Sequence, residues 1–462
     1  MSKVGNKLVI FNLSSTFILY SISFISAPLF SRLLGANDYG IVQVFLSWTS
    51  IIQIVLSLGT AGTLSIAKVN IPSSEYKSYY SSVYFLSLFV FIVGGGVFIP
   101  FIHLYSITSL LNGIIPTLII INGLCGFSLY FVHALFTYEL KAKYNLIISV
   151  LVASLNVILS FLFIKYLFDT DLYIGRILGI LLPNFFAFVV ITVYIYIKGQ
   201  TIVCFKYWKY CLPLSIPLVF HGLSGVVTIT CDKFMLQNFL SFSAVGIYAL
   251  ACNFANIMNS IWCALNNSFT PIYINYLKNK DAKNLLISSK RYLVVFTLLC
   301  LGFILLSPEV FYLFAPKEFY EGIFIIPIIV ISNYFIFIYS YYGNLEFCYA
   351  KTKMLAIGST ISCIANVIFN YFLINKFQII GAAISTMLSS TILAFIHYLF
   401  AKSISDKKFF FGIKNFFVYT LLLLVVSILF YSLIDIYYIR FIIAMILAVI
   451  LLAYLFKNKS IF

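Results

Sequence analysis

The chain has 462 residues, 63% of them apolar or aromatic and 9% charged, and its 29 Lys and Arg outnumber 13 Asp and Glu for a net charge of +16. Soluble domains carry about 25% charged residues, so a water-soluble globule is excluded, and with it a soluble nucleic-acid-binding domain with a basic face. The nine cysteines are scattered without CxxC or Cys/His spacing, which excludes a disulfide scaffold and a clustered metal site.

A helix needs about 20 apolar residues to cross the hydrocarbon core of a bilayer. Cut at its polar clusters, the chain predicts fourteen such spans, at about 8–31, 40–66, 79–100, 112–136, 144–164, 176–197, 213–238, 243–269, 291–313, 323–348, 354–374, 379–400, 415–434 and 439–456. These are continuous apolar runs, not the alternating ten-residue segments of a barrel, so the expected class is an all-α integral membrane protein. The first run follows Lys3 and Lys7 but is longer than the h-region of a signal peptide and has no small-residue cleavage site, so it reads as a span. Loops between spans reach about 21 residues at most, which leaves no room for an extramembrane catalytic domain, and no GxxxxGK[ST] occurs. No enzyme activity, cofactor or metal is expected.

Lys and Arg set the orientation. With the amino terminus in the cytoplasm, 22 of the 29 basic residues fall on that side, and an even helix count returns the carboxyl terminus there too. Every alternate loop is basic, a regularity that one missed helix would destroy. Arg32, Lys165, Arg176, Lys233, Lys317, Lys376 and Arg440 remain for the far side or the helix interiors.

An internal repeat runs through the chain. At an offset of 206 residues, Leu34–Ile41 lies over Leu240–Ile247, each ending in Gly-Ile at the start of a new span. At an offset of 210, Asn156-Val157-Ile158 lies over Asn366-Val367-Ile368, and Lys141 and Lys143 over Lys351 and Lys353. Six spans separate each match, so the halves share one topology, the parallel repeat of a known transporter architecture. The expected organisation is a six-helix bundle at 1–200, a second at 201–402, and two additional spans at 403–462.

Pro28-Leu29-Phe30-Ser31-Arg32-Leu33-Leu34-Gly35-Ala36-Asn37-Asp38-Tyr39-Gly40 resembles the signature after the first helix of bacterial polysaccharide-unit flippases. Cys231-Asp232-Lys233-Phe234 through Ser243–Tyr248 resembles the seventh-to-eighth helix hairpin of the same family, with Lys233 where Arg is common, and Gly381–Thr386 is similar to its opening of helix twelve. The resemblance is to Wzx-type O-antigen or capsule flippases of the multidrug, oligosaccharidyl-lipid and polysaccharide exporter superfamily. It implies two bundles forming a V around a central cavity. It also implies alternating access that moves an undecaprenyl-diphosphate-linked oligosaccharide between leaflets of the bacterial inner membrane. Polysaccharide polymerase and glycosyltransferases of the same pathway are the implied protein partners.

Such a substrate calls for cations, and charges within spans are functional candidates by default. Arg offers fork-shaped donors to phosphate oxygens and Lys a compact charge. Arg32 closes the first span, Asp232 and Lys233 lie near the outer end of the seventh, and Arg176 opens the sixth, so these four are the expected substrate-binding charges. His221, four residues beyond Pro217, is the fifth candidate, suited to sugar hydroxyls or proton relay, with a packing histidine as the alternative. Asn12, Asn122, Asn156, Asn253, Asn256, Asn266, Asn366 and Asn370 supply amides within spans, for sugars or for interhelical hydrogen bonds. Glu139 and Glu346 read as surface partners of nearby lysines, His397 as an interfacial residue, and Pro28, Pro116, Pro183, Pro217 and Pro327 as candidate hinges within spans. Two other functions stay open: a cation-coupled drug exporter of the same superfamily, and a membrane polysaccharide polymerase.

Overall fold

The computed structural model describes residues 3–105, 113–349, 351–405 and 410–458. Among them there is no strand. The α-helices are α1 Lys3–Leu56, α2 Leu64–Asn70, α3 Tyr76–Tyr105, α4 Ile115–Tyr138, α5 Ala142–Tyr166, α6 Leu172–Gly199, α7 Phe205–Phe239, α8 Phe242–Lys278, α9 Ala282–Phe314, α10 Ile326–Cys348, α11 Thr352–Ile404, α12 Ile413–Ser432 and α13 Tyr437–Asn458.

Twelve of these are long and apolar enough to cross a membrane. Two of the twelve are broken once each, α1 at Gly35 (φ 70°, ψ 173°) and α11 at Gln378 (φ 53°, ψ −131°), so each comprises two limbs. The backbone at Gly35 is open to glycine at little cost because no Cβ is present to clash. The repeat match sets this break over Ser241, where the chain turns between α7 and α8 and the Ser241 hydroxyl caps α8 by accepting from the Ala244 N–H at 3.2 Å.

The expected hinges lie elsewhere. Pro116 and Pro327 sit in the first turn of α4 and α10, where a missing N–H costs nothing. Pro28, Pro183 and Pro217 lie inside continuous helix. The second span also ends sooner than its apolar run, at Leu56, because Leu58 and Gly59 adopt positive φ and lead into the 3-10 turn Thr60–Thr63. That turn is fixed by Thr60 Oγ1 on Ser87 Oγ at 2.7 Å and Thr63 Oγ1 on the Tyr79 hydroxyl at 2.8 Å.

The chain forms two compact units, residues 1–233 and 234–462. In the first, α4, α5 and α6 pack on one another and on α1, while Leu151, Leu155, Ile158 and Leu162 of α5 stay exposed, a face suited to lipid tails. The start of α7 is tied to α3: the Glu75 carboxylate accepts from Lys206 Nζ at 2.9 Å and the Tyr207 hydroxyl at 3.0 Å, and Trp208 Nε1 donates to the Ser82 carbonyl at 3.1 Å. The Lys206 bond, then the Tyr207 bond, hold the Glu75 carboxyl below its ordinary range. In the second unit α8, α9, α10 and α11 pack together, and α12 and α13 lie against α9. Arg440 of α13 is 2% exposed and donates to Glu309 of α9 at 2.5 Å and to the Leu305 carbonyl at 3.1 Å.

Candidate functional site

In the first unit the predicted cations gather along one stretch of α1, on both sides of the Gly35 break. Arg32 is exposed at the end of the first limb. Two residues earlier, Phe30 is 2% exposed and forms a platform for Arg176, whose guanidinium carbon lies 3.6 Å from the ring centre. Arg176 Nη1 also donates to Ser160 Oγ at 2.7 Å and to the Asn156 carbonyl at 3.3 Å, so it joins α1, α5 and α6. Beyond the break, Asp38 Oδ2 accepts from the Tyr173 N–H at 3.2 Å, taking up one of the donors that the start of α6 leaves open. Five residues further on, Gln43 Oε1 accepts from Lys233 Nζ at 3.1 Å. Asp232, next to that lysine, is 3% exposed.

Four of the five sequence candidates are therefore placed: Arg32 exposed, Lys233 half-buried on Gln43, Asp232 buried, and Arg176 committed to Phe30, Ser160 and Asn156. The side chain of His221 lies outside the described residues, as do those of Asn12 and His103. Gln43 and Asp38 were not singled out by sequence. Asp38 lies within the matched hairpin Leu34–Ile41, and Gln43 is a lone polar residue just after it.

The intramembrane amides divide into two kinds. Asn122 accepts from Asn184 at 3.1 Å, and Asn366 is fully buried, donating to Ser389 Oγ at 3.4 Å while its carbonyl accepts from Ser385 Oγ at 3.0 Å; these hold helices together. Those of α8 differ. Asn253, Asn256, Asn267 and Asn275 are exposed and recur at multiples of three to four residues, so they share one stripe of a membrane-length helix. Exposed amides are costly against hydrocarbon, so that stripe is built to meet water or hydroxyl-bearing ligand.

In the second unit two expectations fail, surface pairing for Glu346 and an interfacial place for His397. Glu346 and His397 are both 0% exposed, and His397 Nδ1 lies 2.8 Å from Glu346 Oε1. Helical winding turns both residues into the contact between α10 and the second limb of α11, away from the lysines of the neighbouring loop. In the first unit Glu139 does pair with Lys141, at 2.6 Å. Among the described residues no group of three His, Cys, Asp or Glu is placed to hold a metal ion.

Two compact all-helical units with twelve helices long and apolar enough to cross a bilayer define an integral membrane protein. The chain belongs to the polysaccharide biosynthesis protein family, which its residues 7–276 match. Among solved structures it is similar to the lipid II flippase MurJ in an inward closed conformation, at 16% identity and a TM-score of 0.73, over 98% of this chain and 99% of that one. It is also similar to an inward-facing multidrug resistance transporter of the MATE family of the MOP superfamily, at 15% identity and a TM-score of 0.60, over 85% of this chain and 97% of that one. A Vibrio cholerae MATE transporter matches at 15% identity and a TM-score of 0.54, over 89% of this chain and 100% of that one. No curated protein matches the chain.

Proposed function

We propose that the chain is a flippase that carries an undecaprenyl-diphosphate-linked oligosaccharide repeat unit, of O-antigen or capsule, from the cytoplasmic to the periplasmic leaflet of the bacterial inner membrane. Both termini are then cytoplasmic and the bundles at 1–200 and 201–402 are the halves that alternate access. The observation that carries this reading is the extent of the fold match: the lipid II flippase covers 98% of the chain, α12 and α13 included, whereas the MATE transporter covers 85%. Membership of a polysaccharide biosynthesis family supports a glycan over a drug as cargo.

In this reading Arg32 and Lys233 meet the diphosphate, Arg by its fork and Lys as a point charge. Asp232 and Arg176 shape the surrounding charge, and His221 with the α8 amides meets sugar hydroxyls. The transporter does no bond chemistry. Deletion of the gene tests it directly: single lipid-linked repeat units trapped on the cytoplasmic face support the flippase. Units trapped on the periplasmic face would point to a polymerase, and an unaltered glycan with lost sodium- or proton-dependent drug efflux to an exporter.

A further inference from the structure

The Glu346–His397 pair is more than the fold requires. Aligned by the repeat, with the end of α4 on the end of α10 at an offset of 210 residues, Glu346 falls on Phe136. With Gly175 on Gly381 at an offset of 206, His397 falls on Ile191. Phe136 and Ile191 are buried, so in the first unit an apolar pair serves the equivalent helix positions. An ionisable pair sealed at this depth is costly unless it is matched, and such residues in membrane spans mark ion or proton pathways.

The surroundings are built for an imidazole. A Cβ on Gly358, in the first limb of α11, would fall on the His397 ring, so glycine there opens its seat. Tyr339 of α10 lies against the ring with centroids 4.6 Å apart, and Phe400 meets it edge-on at 6.0 Å. Tyr339 is a titratable group facing the pair from α10, and it interacts electrostatically with Glu346. The lysines that flank the pair in sequence, Lys351 and Lys402, are exposed; the Lys351 N–H donates to the Glu346 carbonyl at 2.9 Å. Among the described residues Glu346 Oε2 and His397 Nε2 have no hydrogen-bond partner, so each member keeps one open valence toward a proton.

We propose that Glu346 and His397 form a proton-binding site that couples the transport cycle of this chain to the proton gradient, a step that rests on the flippase reading above. With one proton between them the pair is an imidazolium and a carboxylate of zero net charge, compatible with a sealed, apolar contact. Without it a bare carboxylate remains, which requires water. The proton enters from water onto the imidazole and returns to water when α10 and the two limbs of α11 separate, so protonation state and packing of these segments are linked. No other atom or electron is exchanged.

Nitrogen-15 histidine spectra of the full-length protein in lipid vesicles test the site itself. The chain has four histidines, and the signal missing from His397→Gln identifies the one at issue. Across the pH range in which the protein stays folded, that signal is expected to change between its protonated and neutral forms in the wild type and to respond differently in Glu346→Gln. A signal fixed in one state across that range overturns the proposal. The role in transport is tested with Glu346→Gln/His397→Gln, in which two amides preserve a hydrogen bond between the helices but hold no proton. With normal membrane levels, glycan export is expected to fall at least tenfold. Wild-type export would show a mere helix staple and overturn the coupling. If deletion leaves lipid-linked glycan untrapped, the flippase reading falls while the titration result stands or falls by itself.

Discussion

Arg176 stacks on Phe30, its guanidinium carbon 3.6 Å from the ring centre, two residues before the exposed Arg32. One arginine is thus committed to structure beside another that is exposed. Cation–π contacts contribute roughly 0.5–2 kcal/mol according to desolvation, and the planar guanidinium adds the bond to Ser160 Oγ at 2.7 Å. Arg176→Lys keeps the charge but loses the stack and the fork, so it is expected to lower stability by about 1–2 kcal/mol. Combined with Phe30→Leu the losses are expected to be less than additive. Thermal unfolding of the detergent-solubilised single and double variants measures this; strict additivity would show that the stack contributes nothing.

Arg32 and Lys233 have a different expected signature. Lys233 Nζ donates to Gln43 Oε1, a neutral acceptor, at 3.1 Å. Arg32→Gln with Lys233→Gln is expected to cut surface polysaccharide by tenfold or more, since charge-assisted bonds contribute on the order of 1.5–3 kcal/mol each, while the protein reaches the membrane at normal levels. Undiminished export from correctly inserted protein would remove both residues from the substrate site.

What was legible in the sequence was whatever the bilayer itself dictates. Apolar run length suffices for the membrane-length helices, because the cost of exposed backbone in lipid leaves helices as the solution for such runs. The break at Gly35 was readable from glycine in a polar turn, and that at Gln378 from the polar cluster between the runs 354–374 and 379–400, although glutamine itself carries no preference for φ 53°. Partner choice was hidden as well. Glu346 and His397 are 51 residues apart in sequence, and in a helix apolar on nearly every face no periodicity reveals which side meets a neighbour. Loop lysines close in sequence made surface pairing the simplest expectation, and winding overturned it.

Glu75 gives a pH signature outside the membrane. Its carboxyl is held below the ordinary value of 4.5 by the Lys206 and Tyr207 bonds. A carboxylate with a lowered folded value stabilises the fold above its unfolded value, and that contribution disappears as pH falls through the folded one. Wild type is therefore expected to lose a small stability advantage over Glu75→Gln as pH drops below about 4.5. The unfolding temperatures of the two proteins compared from pH 7 to pH 3 check it; a gap that stays constant, or widens in acid, would contradict the linkage.

Arg440 and Glu309 latch α13 to α9, and here burial decides the magnitude. The Arg440 side chain is 2% exposed, whereas that of Glu309 is 29% exposed and still reaches solvent. Breaking a fully sealed pair from one side costs about 3–5 kcal/mol; solvent at Glu309 reduces this. Arg440→Met also removes a donor from the Leu305 and Ile434 carbonyls, which accept from Arg440 at 3.1 and 3.0 Å. A loss of about 2–4 kcal/mol is expected on those grounds. Removing the stranded carboxylate as well, in Arg440→Met/Glu309→Gln, is expected to restore about half of it, because the remaining cost is the donor lost from the two carbonyls rather than an uncompensated charge. Thermal unfolding in detergent reads both values. A double variant no more stable than Arg440→Met would mean that the arginine holds α13 through the carbonyls alone.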